Sequence, residues 1–266
     1  MAILALSREY GAGGRDIGRL VAQRLQYEYV DKERLFRDLD QLGPRWGQTA
    51  RDLDEVCPTL WERHDWAYRG YVSALESLIL DYAAQDNVVI IGRGAYLLLQ
   101  GVPFCLKVRL VAPLEVRLER IMVRESLDRQ RAADLIARVD RDRACYLQAN
   151  YGKDWNDQSN YDLVLNTGSL TYEEVAELLI KELLQKSQAA TSAAKAQLAA
   201  RALAARLKAR IATDTRIMMP TLQVEAKEGV IVVSGTIHNP KELALVQSIA
   251  QQVCGTKEVR FDLQHR

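Results

Sequence analysis

The first residues able to do chemistry come early in this chain. Residues 7–16 read SREYGAGGRD and follow the apolar run Ala2-Ile3-Leu4-Ala5-Leu6. Gly11, Gly13 and Gly14 can take backbone angles closed to other residues, and with Ala12 between them they let amides converge on an anion where a helix begins. On the phosphate-cradling spacing G-x-x-x-x-G-K-[ST], the second glycine falls on Gly13. Arg8, however, stands at the first glycine, Gly14 at the lysine and Arg15 at the hydroxyl. The missing cation is then expected from Arg8 or Arg15, each able to fork onto phosphate oxygens. With no hydroxyl there, a divalent cation would be held by Asp16 or mainly by the bound phosphates. A tight strand-to-helix turn without any ligand would use the same glycines.

Further arginines follow. Arg93 leaves the apolar stretch Val88–Ile91 between two glycines. Arg117, Arg120 and Arg124 recur at helical spacing, and Arg138-Val139-Asp140-Arg141-Asp142-Arg143 closes a second helical segment. Interleaved acids such as Glu115, Glu119 and Glu125 make surface ion pairs the plain alternative to a lid of arginines closing on a polyphosphate. His64, His238 and His265 are far apart, so no metal cluster or catalytic pair is expected from them. Cys57, Cys105, Cys145 and Cys254 form no CxxC pair and are expected to be buried thiols rather than a disulfide framework.

These residues need a scaffold. The apolar runs Ile3–Leu6, Val88–Ile91, Leu106–Val111 and Leu163–Leu165 alternate with helical patterns, the signature of a parallel sheet in an α/β fold. The ends of such strands are where ligands bind. Residues 33–86 are too long for a loop and predict two or more helices inserted after the first strand–helix unit. Residues 188–212 carry 12 alanines, which predicts a helical connector. Beyond it come strands over 222–226, 230–234 and 258–263, with a helix starting near Pro240.

Of the chain's 36 Lys+Arg and 35 Asp+Glu, residues 187–266 hold 11 and 6, a mildly basic tail on a net charge of +1. That balance gives no case for nucleic acid as a partner. No apolar run reaches the ~18 residues needed to span a bilayer. The chain is therefore expected to be cytoplasmic and not an integral membrane protein.

The motifs SREYGAGGRDIG, YVDKE, IIGRGA, VRLVAPLEVRLERI, DRDR, YGKDW and YDLVLNTG stand in order over residues 1 to about 184, which resemble the cytidylate kinase-like family. The resemblance implies an α/β three-layer P-loop kinase sandwich around a parallel sheet. It implies ATP over Gly11–Arg15, with Mg2+ at Asp16, and a nucleoside monophosphate acceptor, CMP or dCMP. In that family the arginine of a G-R-D turn holds the acceptor phosphate, matching Arg93, and an arginine and an aspartate around D-R-D contact the nucleotide, matching Arg138 and Asp142. Asp31 of YVDKE joins this acceptor set, and Arg120 and Arg124 join Arg8 and Arg15 as candidates for transition-state charge. Three positions depart: Gly94 replaces the G-R-D aspartate, Gly14 the loop lysine, and Cys145 an arginine past D-R-D.

Residues of about 200–264, with V-x-V-x-G followed by a helix that ends in a glycine, resemble a BON module, a small α+β unit of order αββαβ. This implies a phospholipid or protein partner, anionic lipid given the basic tail. The expected division is a kinase-like domain over 1–186, an alanine-rich linker over 187–199 and an independently folding module over 200–266. Two other readings stay open: a non-catalytic nucleotide or phosphate sensor signalling to the tail, and a kinase for another phosphorylated acceptor.

Overall fold

The computed structural model describes residues 2–52 and 56–265, and divides into two compact units. Residues 53–55, within the expected helical insertion, lie outside the described residues.

The first unit comprises residues 1–34, 54–58 and 86–190. Its five strands are β1 (Ile3–Arg8), β2 (Glu28–Val30), β3 (Val88–Ile91), β4 (Cys105–Val111) and β5 (Leu163–Asn166). All pair in parallel, in the order β2-β3-β1-β4-β5. β1 is central and covered on both faces, which is why its sequence is an unbroken apolar run rather than an alternating one. The sequence indicated four of these strands. β2 escapes because it is three residues long at a sheet edge and two of them are only half-buried.

α1 (Gly14–Leu25) starts directly after the glycine turn, and it buries Ile17, Val21 and Ala22 at helical spacing on the sheet. Gly18 faces Ile91, whose Cδ1 lies 2.6 Å from where a Cβ would stand. α9 (Tyr172–Lys186) covers the same cluster with Val175, Ala176, Leu179 and Leu183, and Thr171 with Glu174 forms a capping box at its start. α6 (Ala95–Leu98) follows β3. α7 (Leu114–Glu125) and α8 (Arg129–Tyr151) pack on each other through Leu118, Ile121, Ala132 and Ile136.

One cysteine expectation is corrected here. Cys57 and Cys145 are joined in a disulfide, while Cys105 and Cys254 are buried and free. Nothing in local spacing signals a pairing across 88 positions of sequence. Such a bond is rare in a reducing compartment.

The second unit comprises residues 35–53, 59–85 and 191–266. The insertion forms α2 (Lys32–Leu42), α3 (Pro44–Asp52), α4 (Leu60–His64) and α5 (Trp66–Ala84). α10 (Ser192–Ala212) is a single helix across the alanine-rich stretch and packs along α5 as well as against the small sheet. Its small side chains permit both contacts: Leu198, Ala202 and Ala209 are buried, and Ala204, Leu207 and Ile211 join the core beneath the sheet. Gly70 of α5 fits because a Cβ there would stand 2.6 Å from the Trp46 ring and 3.2 Å from the Ala212 carbonyl. Lys208 pairs with Glu76 at 3.0 Å and Arg206 with Asp81 at 2.7 Å. The sheet has the order β6 (Gln223–Lys227), β7 (Val230–Ile237), β8 (Val259–His265), with β6–β7 antiparallel, β7–β8 parallel and α11 (Pro240–Cys254) between the last two. Among the described residues no helix is long and apolar enough to cross a membrane.

Candidate active site

At the carboxyl end of β1 the chain turns through Gly11 (φ 89°) and Gly13 (φ 79°), left-handed angles that favour glycine, into α1. No side chain caps this helix, so its first amides remain available to an anion. The turn borders a cavity of about 550 Å³. It is lined by Gly11, Gly13, Gly14, Arg15 and Asp16, by Tyr29, Asp31, Lys32 and Glu33, by Arg8, Glu9, Tyr10 and Ile91, and by Arg124, Glu125, Val139, Asp142 and Arg143.

The carbonyls of the turn are held from outside. The Arg8 carbonyl accepts from Arg143 Nη1 at 3.0 Å, that of Gly11 from Arg120 Nη1 at 3.3 Å, and that of Ala12 from Thr167 Oγ1 at 3.1 Å. The Tyr10 amide donates to Asp140 Oδ1 at 2.8 Å, and Asp140 Oδ2 accepts from Arg117 Nη1 at 2.5 Å. Glu9 lies beside Arg117 at 3.6 Å and accepts the Ala112 amide at 3.1 Å. The Tyr10 amide is thus taken, as is that of Ala12 by the Glu9 carbonyl at 3.1 Å, and the amides at the uncapped start of α1 are the ones left for an anion.

Packing also fixes the glycines. A Cβ on Gly13 would lie 2.5 Å from the Tyr172 ring, one on Gly11 3.1 Å from Arg117 Cβ, and one on Gly14 2.7 Å from Arg8 Cγ. A side chain at residue 13 would therefore meet Tyr172.

The sequence-derived candidates separate in space. Arg8, Gly11, Gly13, Gly14, Arg15, Asp16, Asp31, Arg124 and Asp142 meet at the cavity, and Ala12 is buried in the turn behind it. Arg15 pairs with Glu33 at 2.7 Å, both more than half exposed. Arg124 pairs with Glu125 at 2.9 Å and sits 4.8 Å from the Tyr10 ring centroid. Arg120 is turned to protein: it donates to the Thr167 hydroxyl and carbonyl at 2.9 and 2.7 Å. Arg138 stands apart on α8, beside Arg131, Asp134, Leu135 and Arg141. Arg93 (φ 58°) is only 2% exposed, in a niche of about 10 Å³ walled by Ser7, Arg8, Tyr96, Arg143, Tyr146 and Trp155. That volume holds about one water at most. Asp31 accepts the Arg34 amide at 3.1 Å.

Burial, and then the Asp31 carboxylate, push the Tyr29 hydroxyl up to about 12 against the pull of Arg19, Arg15 and Arg8. The hydroxyl donates to the Arg15 carbonyl at 3.5 Å. Burial would raise the Glu33 carboxyl, but hydrogen bonds and the Arg15 charge outweigh it and hold the group below its ordinary value. Burial pushes the Cys105 thiol up to about 12, which removes it as a nucleophile.

Sequence reasoning named Asp140 and Arg143 only within the arginine-dense run and gave no role to Tyr10, Thr167 or Tyr172, and these residues together hold the turn. The N-T-G after β5 was one available signal, since a buried threonine beyond a strand end needs polar partners.

The chain matches the cytidylate kinase-like family over residues 3–169 and the BON domain over residues 190–265. It is 40% identical over 110 residues to a uronate isomerase of Corynebacterium glutamicum, a match covering 41% of this chain and only 21% of that protein. It is 29% identical over 168 residues to a cytidylate kinase of Methanocaldococcus jannaschii, covering 62% of this chain and 88% of that one. A solved structure of an uncharacterized protein from Eubacterium ventriosum superposes with a TM-score of 0.54 at 21% identity, over 69% of this chain and 98% of that chain, a likeness of fold. With its parallel sheet, its glycine turn and the extent of the match, the chain belongs to the cytidylate kinase-like family and carries a BON domain behind the kinase-like region.

Proposed function

We propose that the protein transfers the γ-phosphoryl group of ATP to a nucleoside monophosphate, CMP or dCMP. The observation that carries this reading is the uncapped start of α1 opening on a cavity lined by Arg8, Arg15, Arg124 and Arg143 together with six carboxylates, in a member of the cytidylate kinase-like family. The site fits a triphosphate: backbone amides are unclaimed by side-chain caps, and Arg8, Lys32, Arg124 and Arg143 supply positive charge around them. Mg2+ fits as an ion held by Asp16 and mainly by phosphate oxygens, because no cluster of three ligating side chains exists among the described residues. When bound, it offsets charge on the transferred group.

The amides of the turn hold and orient the phosphates. Arginines offset the charge that develops as the acceptor oxygen attacks in line, so no covalent enzyme intermediate is required. Arg93 takes the acceptor phosphate, with Asp31 and Asp142 in the acceptor set; Arg138, which lines neither the cavity nor the niche, would join it only after α8 moves. Its niche must open for this, through Arg143 and Tyr146 of α8, and closure afterwards would exclude water. The BON domain is assigned an anionic lipid or protein partner on the strength of its basic excess.

Purified protein with ATP, Mg2+ and each of CMP, dCMP, UMP, AMP and GMP should yield diphosphate most rapidly with CMP or dCMP. Arg93→Ala should weaken acceptor binding by about 1.5–3 kcal/mol while leaving ATP binding nearly intact. Gly14 in place of a lysine and Gly94 in place of an aspartate favour a second reading, a nucleotide sensor. Tight binding with no product from any acceptor would select it.

A further inference from the structure

Two of the three glycines in the turn have left-handed angles that account for their identity, Gly11 at φ 89° and Gly13 at φ 79°. Gly14 does not. It is the first residue of α1, outside the positive-φ set, so its backbone would accept any L side chain. What excludes a side chain is space. A Cβ on Gly14 would stand 2.7 Å from Arg8 Cγ, 3.0 Å from Arg8 Cβ and 3.1 Å from Leu6 Cδ2. The Arg8 stem thus lies over the position from which a side chain at residue 14 would start.

Arg8 also lines both the large cavity and the niche around Arg93. No other residue of the turn holds that position: Arg15 is on the outer wall against Glu33. Resting on the phosphoryl-transfer reading, we infer that Arg8 and Gly14 are an exchanged pair. Arg8, arriving from the end of β1, supplies the cation that phosphate loops ordinarily project from the first turn of the helix, and residue 14 is glycine to leave it room. The two positions are then interdependent. A cation reaches the junction of cavity and niche from residue 8 or from residue 14, but not from both at once.

The test uses the full chain and four variants. Without nucleotide, Gly14→Lys should lower the thermal midpoint, and Arg8→Ala with Gly14→Lys should recover most of that loss because the obstructing stem is gone. With ATP and Mg2+, Arg8→Met keeps the stem volume and removes the charge, so ATP affinity should fall at least tenfold and phosphoryl transfer at least a hundredfold. The double variant should regain at least tenfold of the turnover lost in Arg8→Ala. Folded Arg8→Met within twofold of the parent protein, or a double variant no better than Arg8→Ala alone, overturns the exchange. A parent protein that neither binds nor uses ATP overturns the phosphoryl-transfer reading itself, and Arg8's role as its cation with it. The nucleotide-free melting series still decides the steric half by its own outcome.

Discussion

Asp140 accepts the backbone N–H of Tyr10 at 2.8 Å across 130 positions of sequence. This bond fixes the glycine turn from α8, and the same carboxylate holds Arg117, whose side chain is only 12% exposed. Replacing Asp140 by alanine leaves the Tyr10 donor unpaired and takes from the buried Arg117 its shortest partner, with Glu9 at 3.6 Å and the Tyr10 carbonyl at 3.4 Å remaining. Asp140→Ala should therefore destabilise the protein by about 2–4 kcal/mol in urea denaturation. Asp140→Asn, which keeps an acceptor for Tyr10 and loses the charge, should fall between. A midpoint for Asp140→Ala equal to the parent's would show that the turn is held some other way.

The disulfide makes a countable prediction. Unfolded in denaturant without reductant, the protein should show two reactive thiols, from Cys105 and Cys254, and four after reduction. Closing a long loop restricts the unfolded chain, so the Cys57→Ser, Cys145→Ser double variant should lose up to about 4 kcal/mol. Four thiols before reduction would place the two cysteines apart.

Removal of residues 191–266 bears on whether the tail is separable. α5 packs along α10, Gly70 is shaped to Ala212 and Trp46, and Arg69 donates to the Met219 and Pro220 carbonyls. A chain ending at Ala190 should therefore lose more helical signal than α10 and α11 account for and show a lower unfolding midpoint than the full chain. Retention of the full midpoint and turnover would instead support an independently folding tail.

Tyr29 predicts the alkaline behaviour. Its hydroxyl titrates near 12 in the folded chain against 10.0 in the unfolded one, chiefly because it is buried. Between those values the unfolded state releases a proton that the folded state retains, so this group's stabilisation is full below pH 10.0 and lost as pH rises toward 12. Tyr29→Phe should flatten stability over that window and remove one step near pH 12 from the tyrosinate absorbance titration. A Tyr29 transition near 10 would contradict the burial.

Much of this protein is written in short-range pattern. The run Ile3–Leu6 before a glycine turn specifies a buried strand feeding a helix, because apolar continuity and left-handed angles act within a few residues. The same holds for the apolar strand Val230–Ile237 and for the alanine-rich helix over residues 192–212, whose propensity is local. The three residues of β2 lacked such a pattern: a strand that short is defined by its pairing with β3 rather than by its own composition. In the candidate site, sequence brought forward Arg8, Arg15, Asp31 and Asp142 as chemical types, and the fold brought them to one cavity. It could not divide the arginines among roles. That Arg120 turns to Thr167, that Arg93 is enclosed, that Arg8 lies over Gly14 and that Cys57 meets Cys145 follow from α7, α8 and the ends of β1 and β5 converging. Those contacts join residues far apart along the chain, where spacing carries no signal, and only tertiary packing decides which side chain fills which space.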